Sequence, residues 1–230
     1  MVTELYVERL VAGGSGLAQL DGMKVFVPFA APQERILARI RVRKRDYAIA
    51  EIRDIIEPSP LRVSPPCPHY PDRCGGCQLQ HISYPGQLIA KKLIVNDALQ
   101  HIGKVFVPVT NIADGEAWHY RNKTQYPVAR QDEVRIGFFR RGTHHVTDIP
   151  VCLLHPPGFD SLRKVALAAI REHESAYDEK YHQGNIRHLI LRRGDDGVMV
   201  LLVTREENVS SGLVDAIAAQ SSVTGIVQSV

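Results

Sequence analysis

The chain is poor in sulfur, with four cysteines and three methionines in 230 residues, and it holds no long apolar run. No stretch reads as a signal peptide with an apolar core or as a membrane span, so a reducing, cytoplasmic setting and no membrane partner are expected. Two disulfides would need an oxidising compartment and are the weaker reading of four cysteines. There is no G-x-x-x-x-G-K-S/T phosphate loop, no H-E-x-x-H, and no strand leading into a glycine-rich helix start of the kind that nucleotide cofactors use. Gly13, Gly14 and Gly16 precede a β-like segment, where they serve a turn better than a phosphate cradle. Excess charge is scarce too: the formal net charge is +3 and the pI near 8.7, too mild to mark a nucleic-acid binder. Hydrophobic residues at 44% and charged residues at 23% are ordinary for a globular protein, which excludes a disordered, collagen-like or coiled-coil chain.

What is present is concentrated. Cys67, Cys74 and Cys77 lie in CPHYPDRCGGCQLQH, and Cys152 stands alone in IPVCLLHP. This reads as one metal site closed by a remote ligand, because thiolates are soft donors for zinc or iron–sulfur clusters. The Gly75-Gly76 spacer lets the backbone fold tightly, so that Cys74 and Cys77 face a common centre. The spacing alone leaves zinc and iron both open. With all four cysteines absorbed, no thiol remains as a nucleophile, and no catalytic constellation is visible. His81 is a candidate for the outer shell of such a centre. His144 and His145, adjacent and therefore pointing to opposite faces of a strand, read as loop residues.

Residues 3–57 read as short strands: TELYVERLV, then LAQLDGMKVFVPF with Asp21-Gly22 as a hairpin turn, then ERILARIRVRKRDYAIAEIRDII. Ile36, Ala38, Ile40 and Val42 alternate with Leu37, Arg39, Arg41 and Arg43, the period of a half-buried strand. A small β barrel is expected over 1–57. Residues 58–117 read as a proline-marked linker, the cysteine loop and a helix from Pro85 to Ile102, on which Leu88, Ile89, Leu93, Ala98, Leu99 and Ile102 suit one apolar face. Residues 118–230 read as mixed α+β. Strands fall at HYRNKTQYPV and EVRIGFF, a helix capped by Asp160 at FDSLRKVALAAIREHE, and a hairpin at IRHLILRR and VMVLLVTR around GDDG. A helix at SSGLVDAIAAQ and a strand at VTGIVQSV follow. The last strand reaches Val230 with no polar tail, as expected of a chain cut within a longer protein.

Arg39, Arg41, Arg43, Lys44 and Arg45 fall within seven residues, and the strand period sets the first three on one face, at a spacing that suits phosphates. The bland alternative is a solvated outer face. A second set, Arg121, Lys123, Arg130, Arg135, Arg140 and Arg141, interleaves with Tyr120, Tyr126, Phe138 and Phe139, which suits single-stranded RNA. At least one of the two phenylalanines is expected to fill the core instead. The candidate RNA contacts are Arg39, Arg41, Arg43, Lys44, Arg45, Tyr120, Arg121 and Lys123.

At CPHYPDRCGGCQLQH the sequence resembles the iron–sulfur members of the RNA (uracil-5-)-methyltransferase family, which convert uridines of rRNA or tRNA to 5-methyluridine. GGSGLAQLDGMKVFVPFAAPQE resembles that family's RNA-binding TRAM barrel, an OB-like fold, and HYRNKTQYPV the first strand of its central domain. Cys152 sits where a fourth cluster ligand is expected. The resemblance implies a 4Fe–4S cluster on Cys67, Cys74, Cys77 and Cys152, with zinc as the alternative. Two positions depart from the family pattern: six residues separate Cys67 from Cys74 where five are usual, and Gln33 stands where the barrel often has glycine. The implied fold is a β barrel followed by a mixed α+β central domain with a four-cysteine cluster. The C-terminal Rossmann-like domain, which binds S-adenosylmethionine and carries the nucleophilic cysteine and the general base, is expected to be absent. The expected function is therefore the RNA-recognition and iron–sulfur portion of an S-adenosylmethionine-dependent RNA m5U methyltransferase, with rRNA favoured over tRNA. Such a portion would be inactive alone, with no catalytic residue of its own. The rival is a stand-alone zinc-binding RNA-binding or assembly factor.

Overall fold

A computed structural model describes residues 2–71 and 74–230; Asp72 and Arg73 of the cysteine motif lie outside the described residues. The chain divides into two compact units, residues 1–71 with 77–115 and residues 72–76 with 116–230.

In the first unit, β1 (Val2–Tyr6), β2 (Arg9–Leu10), β3 (Ser15–Leu20), β4 (Met23–Pro28), β5 (Arg35–Arg43) and β6 (Tyr47–Glu57) form one sheet in the order β1-β5-β6-β4-β3-β2. Strand alternation buries Leu5, Val25, Val27, Ile36, Ala38, Ala48 and Ala50 together in one core. The stretch TELYVERLV, read as a single strand, does two jobs. Residues 2–6 pair with β5, while Arg9 and Leu10 pair with β3 at the far end of the strand order. Asp21 (φ 49°) and Gly22 (φ 79°) form the two-residue turn between β3 and β4, both left-handed as the twist of a hairpin requires. Gln33, at the position where glycine is usual, also has a positive φ of 68°.

Helix α1 (Tyr84–His101) begins with a proline in its first turn, as its sequence indicates. Its buried residues are Gly86 and Ala90, and Ala90 packs with Leu10, Ala31 and Ile82 while Ile94 lies against the same cluster. Ile89, Leu93 and Val95 are exposed. The expected apolar face is thus corrected to a narrow stripe at 86, 90 and 94, where Gly86 and Ala90 permit close approach.

The second unit contains β7 (Lys123–Arg130), β8 (Val134–Phe139), β9 (Val146–Asp148), α2 (Phe159–His173), β10 (Ile186–Arg193), β11 (Val198–Thr204), α3 (Ser211–Ala218) and β12 (Val223–Ser229). Its sheet runs β12-β11-β10-β7-β8-β9. Tyr126, Val128, Leu189, Leu191, Val200 and Leu202 pack against Phe159, Leu162, Ala166 and Ile170 of α2 and Leu213 and Ile217 of α3. Asp160 does not cap α2: the cap is Gly158 at φ 98°, and Asp160 lies in the first turn.

The expected class, a β barrel followed by a mixed α+β domain, is corrected to mixed α/β. Each sheet combines antiparallel pairs with one parallel pair, β4 with β6 and β11 with β12. The second pair is joined by the α3 crossover, the connection that parallel strands require. Apolar alternation reports which face of a strand is buried but not its neighbour or direction, so a parallel pair is invisible to it. Among the described residues no helix is long and apolar enough to cross a membrane.

Candidate functional site

In the second unit the cysteine loop is seated by its glycines. Gly75 N–H donates to Phe139 O at 3.0 Å, and a Cβ at Gly75 would lie 2.9 Å from that oxygen and 3.3 Å from the Arg141 backbone. Glycine is needed here for close backbone approach. Gly76 N–H points at Cys74 Sγ, 3.4 Å away. All four cysteines are half-buried. Soft sulfur donors with an N–H aimed at one of them suit zinc or an iron–sulfur cluster by chemistry. Among the described residues, however, no three His, Cys, Asp or Glu side chains gather as metal ligands, so the expected cluster is not supported by the arrangement itself.

Cys152 opens a buried polar cluster that the sequence reading missed. Its N–H donates to Asp160 Oδ2 at 3.3 Å, and its carbonyl accepts the His155 N–H at 3.2 Å. The His155 imidazole is buried among Tyr126, Phe138 and Phe159, with ring centroids 5.5, 5.7 and 5.8 Å away. Its Nδ1 lies 2.8 Å from the Tyr126 hydroxyl, and His119 Nδ1 donates to its carbonyl at 2.6 Å. Burial, then the charge of Arg121, pushes the His155 pKa down to about 4. Burial also raises the Tyr126 phenol, helped by the nearby Asp160 and Cys152, and raises the Asp160 carboxyl. His155 Nε2 and Asp160 Oδ1 are buried without a hydrogen-bond partner among the described residues. The only sequence signal for this cluster was a histidine three and an aspartate eight positions after the lone cysteine.

His81 belongs to the first unit and serves its fold. Its Nε2 lies 3.3 Å from Ala30 O and its Nδ1 2.5 Å from the Tyr70 hydroxyl, so both ring nitrogens are engaged away from any outer metal shell.

The basic row of the first unit is interrupted. Glu51 lies opposite Arg39 and Ala50 opposite Ile40, but Ile49 lies opposite Val42, which leaves Arg41 as the extra residue of a β-bulge. Arg39 and Arg41 face outward; beyond the bulge the phase shifts and Arg43 stands opposite the buried Ala48. The three arginines therefore do not share one face. Arg41 is also paired with Glu51, and that hydrogen bond holds the Glu51 carboxyl below the usual carboxylate range. Arg43, Lys44 and Arg45 are exposed at the β5–β6 connection, Arg45 within 3.8 Å of Asp46.

In the second unit Tyr120 is exposed, Arg121 is held by its N–H to Leu154 O at 3.0 Å, and Lys123 begins β7 opposite Arg192. Tyr126 is buried and Phe138 packs on it at 5.1 Å, so neither offers a ring to a base. Phe139 is part-exposed beside His144, with ring centroids 5.8 Å apart.

No protein-family model matches the chain. An uncharacterized RNA methyltransferase of Halalkalibacterium halodurans is 38% identical over 214 residues, covering 90% of this chain and 46% of the relative. One of Listeria innocua is 36% identical over 234 residues, covering 99% of this chain and 51% of the relative. The chain thus spans about half the length of the curated relatives it matches. Among solved structures it resembles the Pyrococcus abyssi tRNA (uracil-54, C5)-methyltransferase in complex with S-adenosyl-L-homocysteine. The TM-score is 0.69 at 26% identity, over 92% of this chain and 48% of that one. This likeness corrects the expectation of a barrel-plus-α+β portion whose catalytic domain is absent and which is inactive alone. Nearly the whole chain follows a methyltransferase seen with the product of the methyl donor, so the supported class is a mixed α/β, methyltransferase-like fold.

Proposed function

We propose that this chain serves S-adenosylmethionine-dependent methylation of RNA at C5 of a uridine. The observation that carries the reading is the likeness over 92% of the chain to a tRNA uracil-C5 methyltransferase, alongside relatives named RNA methyltransferases. S-adenosylmethionine, when bound, supplies the methyl group; no residue of the described chain is assigned to hold it, and none is assigned as catalytic. Arg39, Arg43, Lys44, Arg45, Arg121 and Lys123 contact phosphates, Arg41 contributes less because Glu51 engages it, and Tyr120 stacks on an unpaired base. Cys67, Cys74, Cys77 and Cys152 hold a 4Fe–4S cluster in a reducing cytoplasm; the support is the soft-donor chemistry of thiolates and the Gly76 N–H directed at Cys74.

The test incubates the anaerobically prepared protein with methyl-labelled S-adenosylmethionine and unmodified rRNA or tRNA transcripts, followed by nucleoside analysis. Label in 5-methyluridine from one of the two transcripts is the expected result. Label in no RNA, or in another nucleoside, overturns the reading.

A further inference from the structure

We propose that Lys123 and Arg192 form a cross-strand cation pair that holds one backbone phosphate of a single-stranded RNA between them. The proposal rests on the reading that this chain acts on RNA. Lys123 of β7 stands directly opposite Arg192 of β10 in their antiparallel ladder. Side chains so placed have Cβ atoms about 5 Å apart, and like charges at that spacing destabilise a sheet. Both residues are exposed, and among the described residues neither side chain has a hydrogen-bond partner or a carboxylate within salt-bridge distance. In the first unit the same kind of position is filled in the opposite way: Arg35 of β5 faces Glu57 of β6, whose carboxylate lies 2.5 Å away. A repelling pair left open on a strand register calls for an anion from outside the polypeptide.

The register also fixes the face. The adjoining pair, Thr124 and Leu191, is buried, with Leu191 in the core that α2 and α3 cover, so Lys123 and Arg192 project from the other face of the sheet. The ladder runs on past the start of β7: Arg193 N–H donates to Asn122 O at 2.7 Å, which brings Arg121 and Arg193 to the same end of the sheet. The β10–β11 turn carries Asp195 and Asp196, and among the described residues neither comes within salt-bridge distance of Lys123 or Arg192. Two cations converging on an exposed face suit a phosphate, which has oxygens for both, and phosphate contacts set position without reading sequence.

The test measures filter binding to two unrelated single-stranded RNAs across a range of salt, without methyl donor, together with the melting temperature in the absence of RNA. It compares wild type, Arg192→Gln, Arg192→Lys, and Lys123→Gln combined with Arg192→Gln. The double variant is expected to bind both RNAs more weakly, by the same factor, and to lower the slope of log affinity against log salt by about 0.7, the share of one phosphate. Arg192→Lys is expected to keep the wild-type slope, and Arg192→Gln to melt no lower than wild type, since it removes a repulsion. A slope lowered by about 1.4 overturns the shared phosphate in favour of two separate ones. A loss confined to one RNA overturns the backbone assignment, and Arg192→Gln melting below wild type overturns the repulsion on which the site rests. A double variant that binds as wild type does overturns the site and leaves the pair a solvated face. A wild type that binds neither RNA overturns the RNA reading and this proposal with it.

Discussion

Glu34 is fully buried in the first unit, yet it is charged. Burial by itself would raise its pKa, but the Arg62 guanidinium and the N–H groups of Ala31 (2.8 Å) and Ser59 (3.4 Å) outweigh it and hold the carboxyl below its usual range. Arg62 is fixed in turn by the Phe29 carbonyl at 2.8 Å. Removing one partner strands the other charge, so Glu34→Gln is expected to cost about 3 kcal/mol, read from the denaturant midpoint. Because the folded pKa lies below the unfolded one, this contribution is complete above about pH 4.5 and is lost as pH falls through the folded value. His81 acts in a different window. Burial lowers its pKa from 6.5 to about 4, so its share of stability is whole above pH 6.5 and erodes by up to about 3 kcal/mol on descent to pH 4. His81→Asn is expected to flatten the melting temperature between pH 6.5 and 4.5; an unchanged slope there would mean that His81 is not neutral in the fold. Gln33 holds a left-handed φ of 68° while its N–H donates to Val7 O at 2.7 Å. Gln33→Gly keeps that bond and relieves the strain, so a gain of up to about 1 kcal/mol is expected, reduced by the looser unfolded chain.

At the level of elements, Gly75 connects the cysteine loop to the end of β8. A methyl group there meets the Phe139 carbonyl oxygen, which is backbone and cannot swing aside. Gly75→Ala is therefore expected to break the Gly75 to Phe139 hydrogen bond, seen as lost amide protection at position 75 in hydrogen exchange together with a lower melting temperature. Retained protection would show that the loop adapts. The Gly-Gly pair was legible as a tight spacer, but not the strand end against which it is pressed, because the partner lies more than sixty residues away. The same division runs through the fold. Strands with strict alternation, the Asp21-Gly22 turn, α2 and α3 could be read from periods of 2 and 3.6 residues and from turn chemistry. The split of the N-terminal stretch into β1 and β2, the bulge at Arg41, the three-residue β9 and both parallel pairs could not, since each is decided by a distant neighbour. The Tyr126, His155 and Asp160 cluster beside Cys152 was not legible, because residues distant in the chain bring it together.

For the whole molecule, a net charge of +3 does not say which cations an RNA meets, because several are already paired. Arg35 is bonded to Glu4 and Glu57, Arg41 to Glu51, and Arg62 to Glu34. All five cations of the row are exposed, but in the β5–β6 connection Arg45 lies 3.8 Å from Asp46, while Arg43 and Lys44 have no carboxylate within salt-bridge distance among the described residues. A cation that releases counterions on binding must not already have a carboxylate at its side. Each phosphate contact to a single strand contributes about 0.7 to the slope of log affinity against log salt. Combining Arg43→Gln with Lys44→Gln is therefore expected to reduce that slope by about 1.4 in filter-binding titrations against a single-stranded RNA. Arg41→Gln should reduce it by clearly less than one contact's share, since it removes a charge that Glu51 already neutralises and leaves Glu51 unpaired. If Arg41→Gln lowered the slope as much per residue as the double variant, the pairing with Glu51 would have to open on binding. If none of the three changed it, this end of the sheet would be a solvated face, and the RNA would be held elsewhere.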